Sequence, residues 1–213
     1  MTTLLLIRHG ESEANRDGFF AGQTDVELLR KGIEQAEKTG QYIAESYKID
    51  KVYASDLKRA YITGEIIATL SNAEIFTEKG LREIYAGKWQ QKPFEELVEE
   101  FEEGYSVWLN DIGCCTTPDG ESVKELSCRV LKTLTEIAKN NEGKTIAVAT
   151  HATPIRAVQC LIEYSDLGRM KDVPWVSNAS VTELLYNDGR WELVKAGYDE
   201  HLASLKTTFP ANV

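Results

Sequence analysis

The chain has 213 residues, 42% hydrophobic and 27% charged, with a formal net charge of −10. That composition is ordinary for a globule with a sizeable core, and its acidic balance argues against nucleic acid or an anionic membrane as partner. It leaves room for a small anionic substrate, because a few arginines suffice for a local positive pocket. No apolar run is long enough to span a bilayer and no cleavable leader opens the chain, so a cytoplasmic location is expected.

Leu4-Leu5-Leu6-Ile7 reads as a strand buried on both faces, and Arg8-His9-Gly10-Glu11-Ser12 follows at once. In an open α/β sheet, ligands bind at the carboxyl ends of strands. Arg8 carries a fork of donors that fits a phosphoryl group. His9 is a candidate nucleophile, because a neutral imidazole attacks phosphorus and leaves again readily. Gly10 is expected to permit a sharp turn. Glu11 to Asp25 reads as a polar loop, in which Asn15 is a candidate amide donor to the same phosphate.

The spacing of Leu28, Gly32, Ala36 and Ile43 predicts an amphipathic helix over Leu29 to Tyr47. Lys51 to Ala54 reads as a second strand. Ser55 or Asp56 is expected to cap the next helix, with Arg59 in its first turn, where free amides already favour an anion. Glu74 to Thr77 reads as a third strand, leading into Leu81-Arg82-Glu83. Pro93 to Trp108 reads as one helix with a solvated acidic side. A turn-rich break at 113–120 precedes a helix over Glu121 to Asn140.

Thr145 to Thr150 is a further buried strand, and it too ends in a histidine, His151. A helix then runs from about Pro154 through Ile162. Val181 to Tyr186 and Trp191 to Lys195 flank Asn187-Asp188-Gly189, a hairpin signal. Strands alternating with helices predict an α/β three-layer sandwich in one domain over 1–213. Its sheet is mainly parallel, with helices on both faces and an antiparallel hairpin near the C-terminus.

The four cysteines, Cys114, Cys115, Cys128 and Cys160, show no C-x-x-C spacing, and only three histidines are present. Neither a zinc site nor a disulfide framework is expected.

Two buried strands that each deliver a histidine to one sheet edge point to a site. With Ser55-Asp56-Leu57-Lys58-Arg59-Ala60 and Thr63, Leu81-Arg82-Glu83 before Gly87 and Trp89, and His151 before Ile155-Arg156, the chain resembles the histidine phosphatase superfamily. This is the phosphoglycerate-mutase-like fold. The resemblance runs in order to Asn178-Ala179-Ser180-Val181-Thr182.

It implies that His9 is transiently phosphorylated, that Arg8, Arg59 and His151 hold phosphoryl oxygens, and that Glu83 protonates the leaving group. It also implies a phosphate contact from the main chain at Ala152, where the family commonly has glycine. Leu29 stands where a capping threonine is usual, and Gly64 where alanine is. Gly87 and Trp89 either shape the wall beside Glu83 or, for Trp89, pack in the core.

Phosphoryl transfer needs an in-line nucleophile and fixed positive charge. Two guanidiniums and an imidazole provide that charge, so no metal and no cofactor is expected. A mutase must also hold a second anion, yet Ile84 follows Glu83 and Pro93 to Glu103 is acidic. The expected activity is therefore hydrolysis of small phosphate monoesters. Tyr198-Asp199-Glu200-His201-Leu202 is similar to the tail of the broad-specificity and ribazole-phosphate phosphatases, with His201 read as structural. The competing readings are a cofactor-dependent phosphoglycerate mutase and a phosphate-binding module without turnover. Specificity is expected from 19–24 and 85–117, and monomer and homodimer stay equally open.

Overall fold

The computed structural model describes residues 1–207. Its strands are β1 (Thr2–Arg8), β2 (Lys51–Ala54), β3 (Glu74–Thr77), β4 (Thr145–Thr150), β5 (Val181–Asn187) and β6 (Arg190–Tyr198). Its helices are α1 (Glu13–Asp17), α2 (Arg30–Ser46), α3 (Lys58–Ser71), α4 (Phe94–Glu100), α5 (Glu102–Asn110), α6 (Val123–Asn140) and α7 (Ala152–Tyr164), with short 3₁₀ turns between. The strands form one sheet in the order β3-β2-β4-β1-β5-β6. The first four of these are mutually parallel, β5 runs antiparallel to β1, and β6 returns antiparallel to β5.

The sheet divides the core as the alternation of side chains along β1 requires. Leu4 and Leu6 pack with Ile146 and Val148 under Val130 and Leu134 of α6 and Val158 of α7. Leu5 and Ile7 face the other way, with Val52, Ala147, Ile43 of α2 and Ile67 of α3. Both faces of β1 are thus covered, and each such aliphatic side chain contributes roughly 1.5–3 kcal/mol by leaving water. The expected three-layer arrangement is present. The predicted hairpin closes with Asp188 at φ +47° and Gly189 at φ +82°, the left-handed pair that a tight primed turn demands.

Two glycines act through close approach. Gly10 does not take the left-handed conformation; a Cβ there would lie 2.2 Å from the Gly32 carbonyl oxygen, so glycine lets the loop after β1 touch α2. Gly10 thus serves where a side chain would be in the way, through close approach rather than a left-handed φ. A Cβ on Gly64 would stand 3.0 Å from Ala54 Cβ and 3.2 Å from Ala149 Cβ, which explains how closely α3 sits on β2 and β4.

Three expectations for elements need correction. The segment expected as loop from Glu11 to Asp25 contains α1, initiated where the Ser12 amide and hydroxyl both donate to Asn15 Oδ1. The helix after β2 is capped by neither Ser55 nor Asp56. Leu57 is its N-cap, and the Lys58 amide donates at 2.7 Å to Asp25 Oδ1 from a distant loop. Pro93 to Trp108 is two helices, broken at Phe101, whose ring turns inward. No helix among the described residues is long and apolar enough to cross a membrane. All four cysteines are unpaired.

Candidate active site

β1 and β4 are adjacent and parallel, with Arg8 level with Thr150. Both chains therefore leave the sheet at the same edge, and their histidines meet. The rings of His9 and His151 are edge to face with centroids 5.2 Å apart. Beside His9 opens a cavity of about 570 Å³, whose lining includes Arg8, His9, Asn15, Arg59, Glu83 and Ala152. The structure brings together every site residue expected from the sequence except His151, which lies buried directly behind His9.

Each polar group has an identifiable orientation. Nδ1 of His9 lies 2.7 Å from the carbonyl oxygen of Gly10, so a proton on Nδ1 is donated there and Nε2 keeps its lone pair. Arg59 gives its Nε toward that Nε2 at 3.3 Å and fixes its other two nitrogens on the carbonyls of Thr24 and Gly22. Arg8 gives Nη1 to the Val176 carbonyl at 2.6 Å. Asn15 Oδ1 accepts from Ser12 and from Asn178 Nδ2, so the amide nitrogen of Asn15 is the part left for a ligand. Thr63 accepts from the Gly10 amide and donates to the Arg59 carbonyl, tying α3 to the loop that carries His9.

His151 is fully buried at the start of α7. Its Nε2 lies 2.9 Å from Ser55 Oγ, and its Nδ1 has no partner. Ser55, expected as a helix cap, instead orients a histidine of the site. Glu83 lines the same cavity as His9. Its Oε1 accepts from the Ile84 amide at 2.8 Å and its Oε2 from the Thr153 amide at 3.3 Å.

The electrostatics follow from crowding cations in a dry place. Burial, and then the neighbouring charges of Arg59 and Arg8, hold the His9 ring well below its ordinary pKa. Burial and Arg59 do the same to His151. Both rings are neutral near pH 7. Burial pushes the Arg8 and Arg59 guanidiniums down to about 10, which leaves them charged. Burial raises the Glu83 carboxyl above the usual range, against the pull of the Ile84 amide and Arg59. Among the described residues no group of three or more His, Cys, Asp or Glu could hold a metal ion.

Beyond the phosphate-sized end the wall is aromatic. Phe20 and Trp108 line it, their rings 5.0 Å apart, together with Tyr105 and Trp175. Trp89 does not line the cavity. It is fully buried behind that wall, against Phe20, Tyr105 and Trp108, and belongs to the core. His201 stacks on Tyr42 at 4.8 Å and bonds Thr39, fastening the C-terminal segment to α2 away from the cavity. Phe20, Tyr105 and Trp108 fall within the segments 19–24 and 85–117 expected to set specificity, whereas Trp175 and the amide of Thr153 escaped the sequence reading because they converge from separate segments without a local pattern.

The sequence pattern of the histidine phosphatase superfamily (branch 1) matches residues 4–199. Phosphoserine phosphatase 1 of Hydrogenobacter thermophilus is 31% identical over 202 residues, which is 95% of either chain. The metal-independent phosphoserine phosphatase of Arabidopsis thaliana is 31% identical over 208 residues, 96% of this chain and 85% of that one. Among solved structures, Bacillus stearothermophilus YhfR superposes with a TM-score of 0.90 at 25% identity, covering 95% of this chain and all of the other. Entamoeba histolytica phosphoserine phosphatase in complex with 3-phosphoglyceric acid has a TM-score of 0.83 at 32% identity, with 95% and 100% covered. This chain belongs to the histidine phosphatase superfamily and is a phosphatase of phosphate monoesters.

Proposed function

We propose that the site hydrolyses small phosphorylated metabolites in two steps through a phosphohistidine on Nε2 of His9. In the first step Nε2 forms a bond to phosphorus as the bond to the leaving oxygen breaks, and Glu83 gives its proton to that oxygen. In the second, the Glu83 carboxylate takes a proton from water, the water oxygen bonds to phosphorus, and the bond to Nε2 breaks. Inorganic phosphate and the original enzyme result.

Arg8, Arg59 and the Asn15 amide bind the equatorial oxygens, where fixed donors stabilise the charge that phosphoryl transfer spreads over them. The Ser55 hydroxyl donates to Nε2 of His151, so the proton of that ring sits on Nδ1, and the buried neutral ring backs His9 rather than lining the cavity. The Ala152 amide is the remaining contact, at the start of α7, where the helix dipole favours an anion.

The observation that carries this reading is the 2.7 Å contact between His9 Nδ1 and the Gly10 carbonyl oxygen. Nδ1 of His9 is committed to that carbonyl, and its unprotonated Nε2 faces a guanidinium in a cavity that Glu83, a carboxyl raised in pKa, also lines. Ile84 after Glu83 and the exposed acidic residues of α4 and α5 supply no basic partner for a second phosphate beside the acid, which favours water over a phosphorylated acceptor. The names of the relatives put phosphoserine and 3-phosphoglycerate among the metabolites to try. Hydrolysis of p-nitrophenyl phosphate, undiminished by EDTA, is the expected result. Activity that vanishes in EDTA and returns with Mg²⁺ would refute the metal-free site.

A further inference from the structure

The cavity holds a third buried guanidinium that the reaction above leaves unused. Arg156 on α7 is 6% exposed and lines the cavity, with Nε given to the Val173 carbonyl at 2.6 Å. The face of its guanidinium lies 4.3 Å from the ring of Trp175. Among the described residues it has no ion pair, and neither Nη1 nor Nη2 makes a hydrogen bond. Burial pushes it down to about 10, so it is still charged near neutral pH. A buried cation with no counter-charge is costly, and the fork of an arginine is shaped for a carboxylate.

Its position is also fixed relative to the phosphate end. Arg8 holds the carbonyl of Val176 and Arg156 holds that of Val173, so two guanidiniums pin the ends of one short strip. The strip sets the span between the two charges, and Trp175 in its middle backs the second one.

We propose that Arg156 anchors a carboxylate of the substrate, and that the preferred substrates are phosphate monoesters whose leaving portion carries a carboxylate. The proposal rests on the phosphatase reading above. A second phosphate would bring two negative charges, to be met by Arg156 and by Lys171, which also lines the cavity, while Asp172 is paired with Arg169; the bisphosphate comparison below separates that case from a carboxylate.

Matched substrates test it. Phosphoserine differs from phosphoethanolamine, and 3-phosphoglycerate from glycerol 3-phosphate, by the carboxylate. The wild type is expected to show lower KM for the carboxylate member of each pair. Arg156→Met should raise KM for that member by ~10–100-fold, the worth of a charge-assisted hydrogen bond, and leave the other member nearly unchanged. Arg156→Lys should retain part of the preference.

Equal loss on all four substrates would make Arg156 a mere support of the strip and overturn the proposal. Absence of any carboxylate preference in the wild type would overturn it too. So would a larger effect of Arg156→Met on fructose 1,6-bisphosphate relative to fructose 6-phosphate than on the carboxylate pairs. Calorimetric binding of 3-phosphoglycerate and glycerol 3-phosphate to His9→Ala reads the same preference without turnover. A preference in binding with no hydrolysis by the wild type would refute the phosphatase reading while supporting the anchor. Should Arg156→Met fail to fold, the wild type and Arg156→Lys decide the question on both measures.

Discussion

Nε of Arg59 lies 3.3 Å from Nε2 of His9, the only atom of that ring free to attack. The guanidinium is 1% exposed and is locked by two further bonds to the carbonyls of Gly22 and Thr24. It therefore stands charged and pre-aimed where a phosphoryl oxygen must sit. Loss of such a donor costs about 10²–10³ in rate elsewhere. Arg59→Met should lower kcat on p-nitrophenyl phosphate to that extent. Arg59→Lys should recover little, because one ammonium cannot reach His9, Gly22 and Thr24 together. Full activity in Arg59→Lys would show that charge alone matters.

Glu83 is carried on a strap that Arg129 of α6 holds by the main chain. Arg129 donates to the carbonyls of Gly80, Arg82 and Glu83, and Glu121 pairs with it at 2.8 Å while accepting from the Tyr85 amide. Arg129→Met should misplace the acid without touching the phosphate contacts. The expected result is a fall of about tenfold in kcat for glycerol 3-phosphate, with KM steady and p-nitrophenyl phosphate much less affected, since general-acid help matters most for a poor leaving group. An equal fall on both substrates would mean the strap serves only stability.

The raised pKa of Glu83 has a sign in the rate profile. The acid form donates, so kcat/KM for an alkyl phosphate should drop as pH rises through that elevated value. Glu83→Gln should be slow but lack this alkaline limb. Persistence of the limb in Glu83→Gln would assign it to another group.

The histidines give a sign for stability. His9 and His151 have pKa values depressed in the folded state, so the unfolded chain binds more protons below pH 6.5. Their contribution is present above that pH and is lost as pH falls below it, with a limiting slope of about 1.4 kcal/mol per pH unit for each ring. Urea titrations of the wild type and His151→Gln between pH 7 and pH 5 should differ in slope by up to that amount. Identical slopes would contradict the neutral buried ring.

How much of this was legible in the sequence depended on locality. β1 and β4 are continuous apolar runs ending in histidines, so their burial and the position of the site at the strand ends could be read directly. The family motifs carried Arg59 and Glu83. The helix α1 could not be read, because it is set by Ser12 and Asn15 rather than by an apolar stripe. The cap of α3 comes from Asp25, more than thirty residues upstream. The wall of Phe20, Tyr105, Trp108 and Trp175 assembles only in three dimensions, and so does the grip of Arg129 on the acid's strap. Trp89 had two readings, and its complete burial behind that wall decides for the core.

The central claim is that His9 takes the phosphoryl group while Glu83 supplies the leaving group's proton. Rapid-quench single turnover, following acid-labile phosphate on the protein, tests both parts at once. The wild type should accumulate phosphoenzyme, and His9→Ala should form none with any substrate. Glu83→Gln should slow phosphorylation by glycerol 3-phosphate by ~10²–10⁴-fold and by p-nitrophenyl phosphate far less. Phosphoenzyme in His9→Ala, or equal slowing of both substrates in Glu83→Gln, would contradict the account.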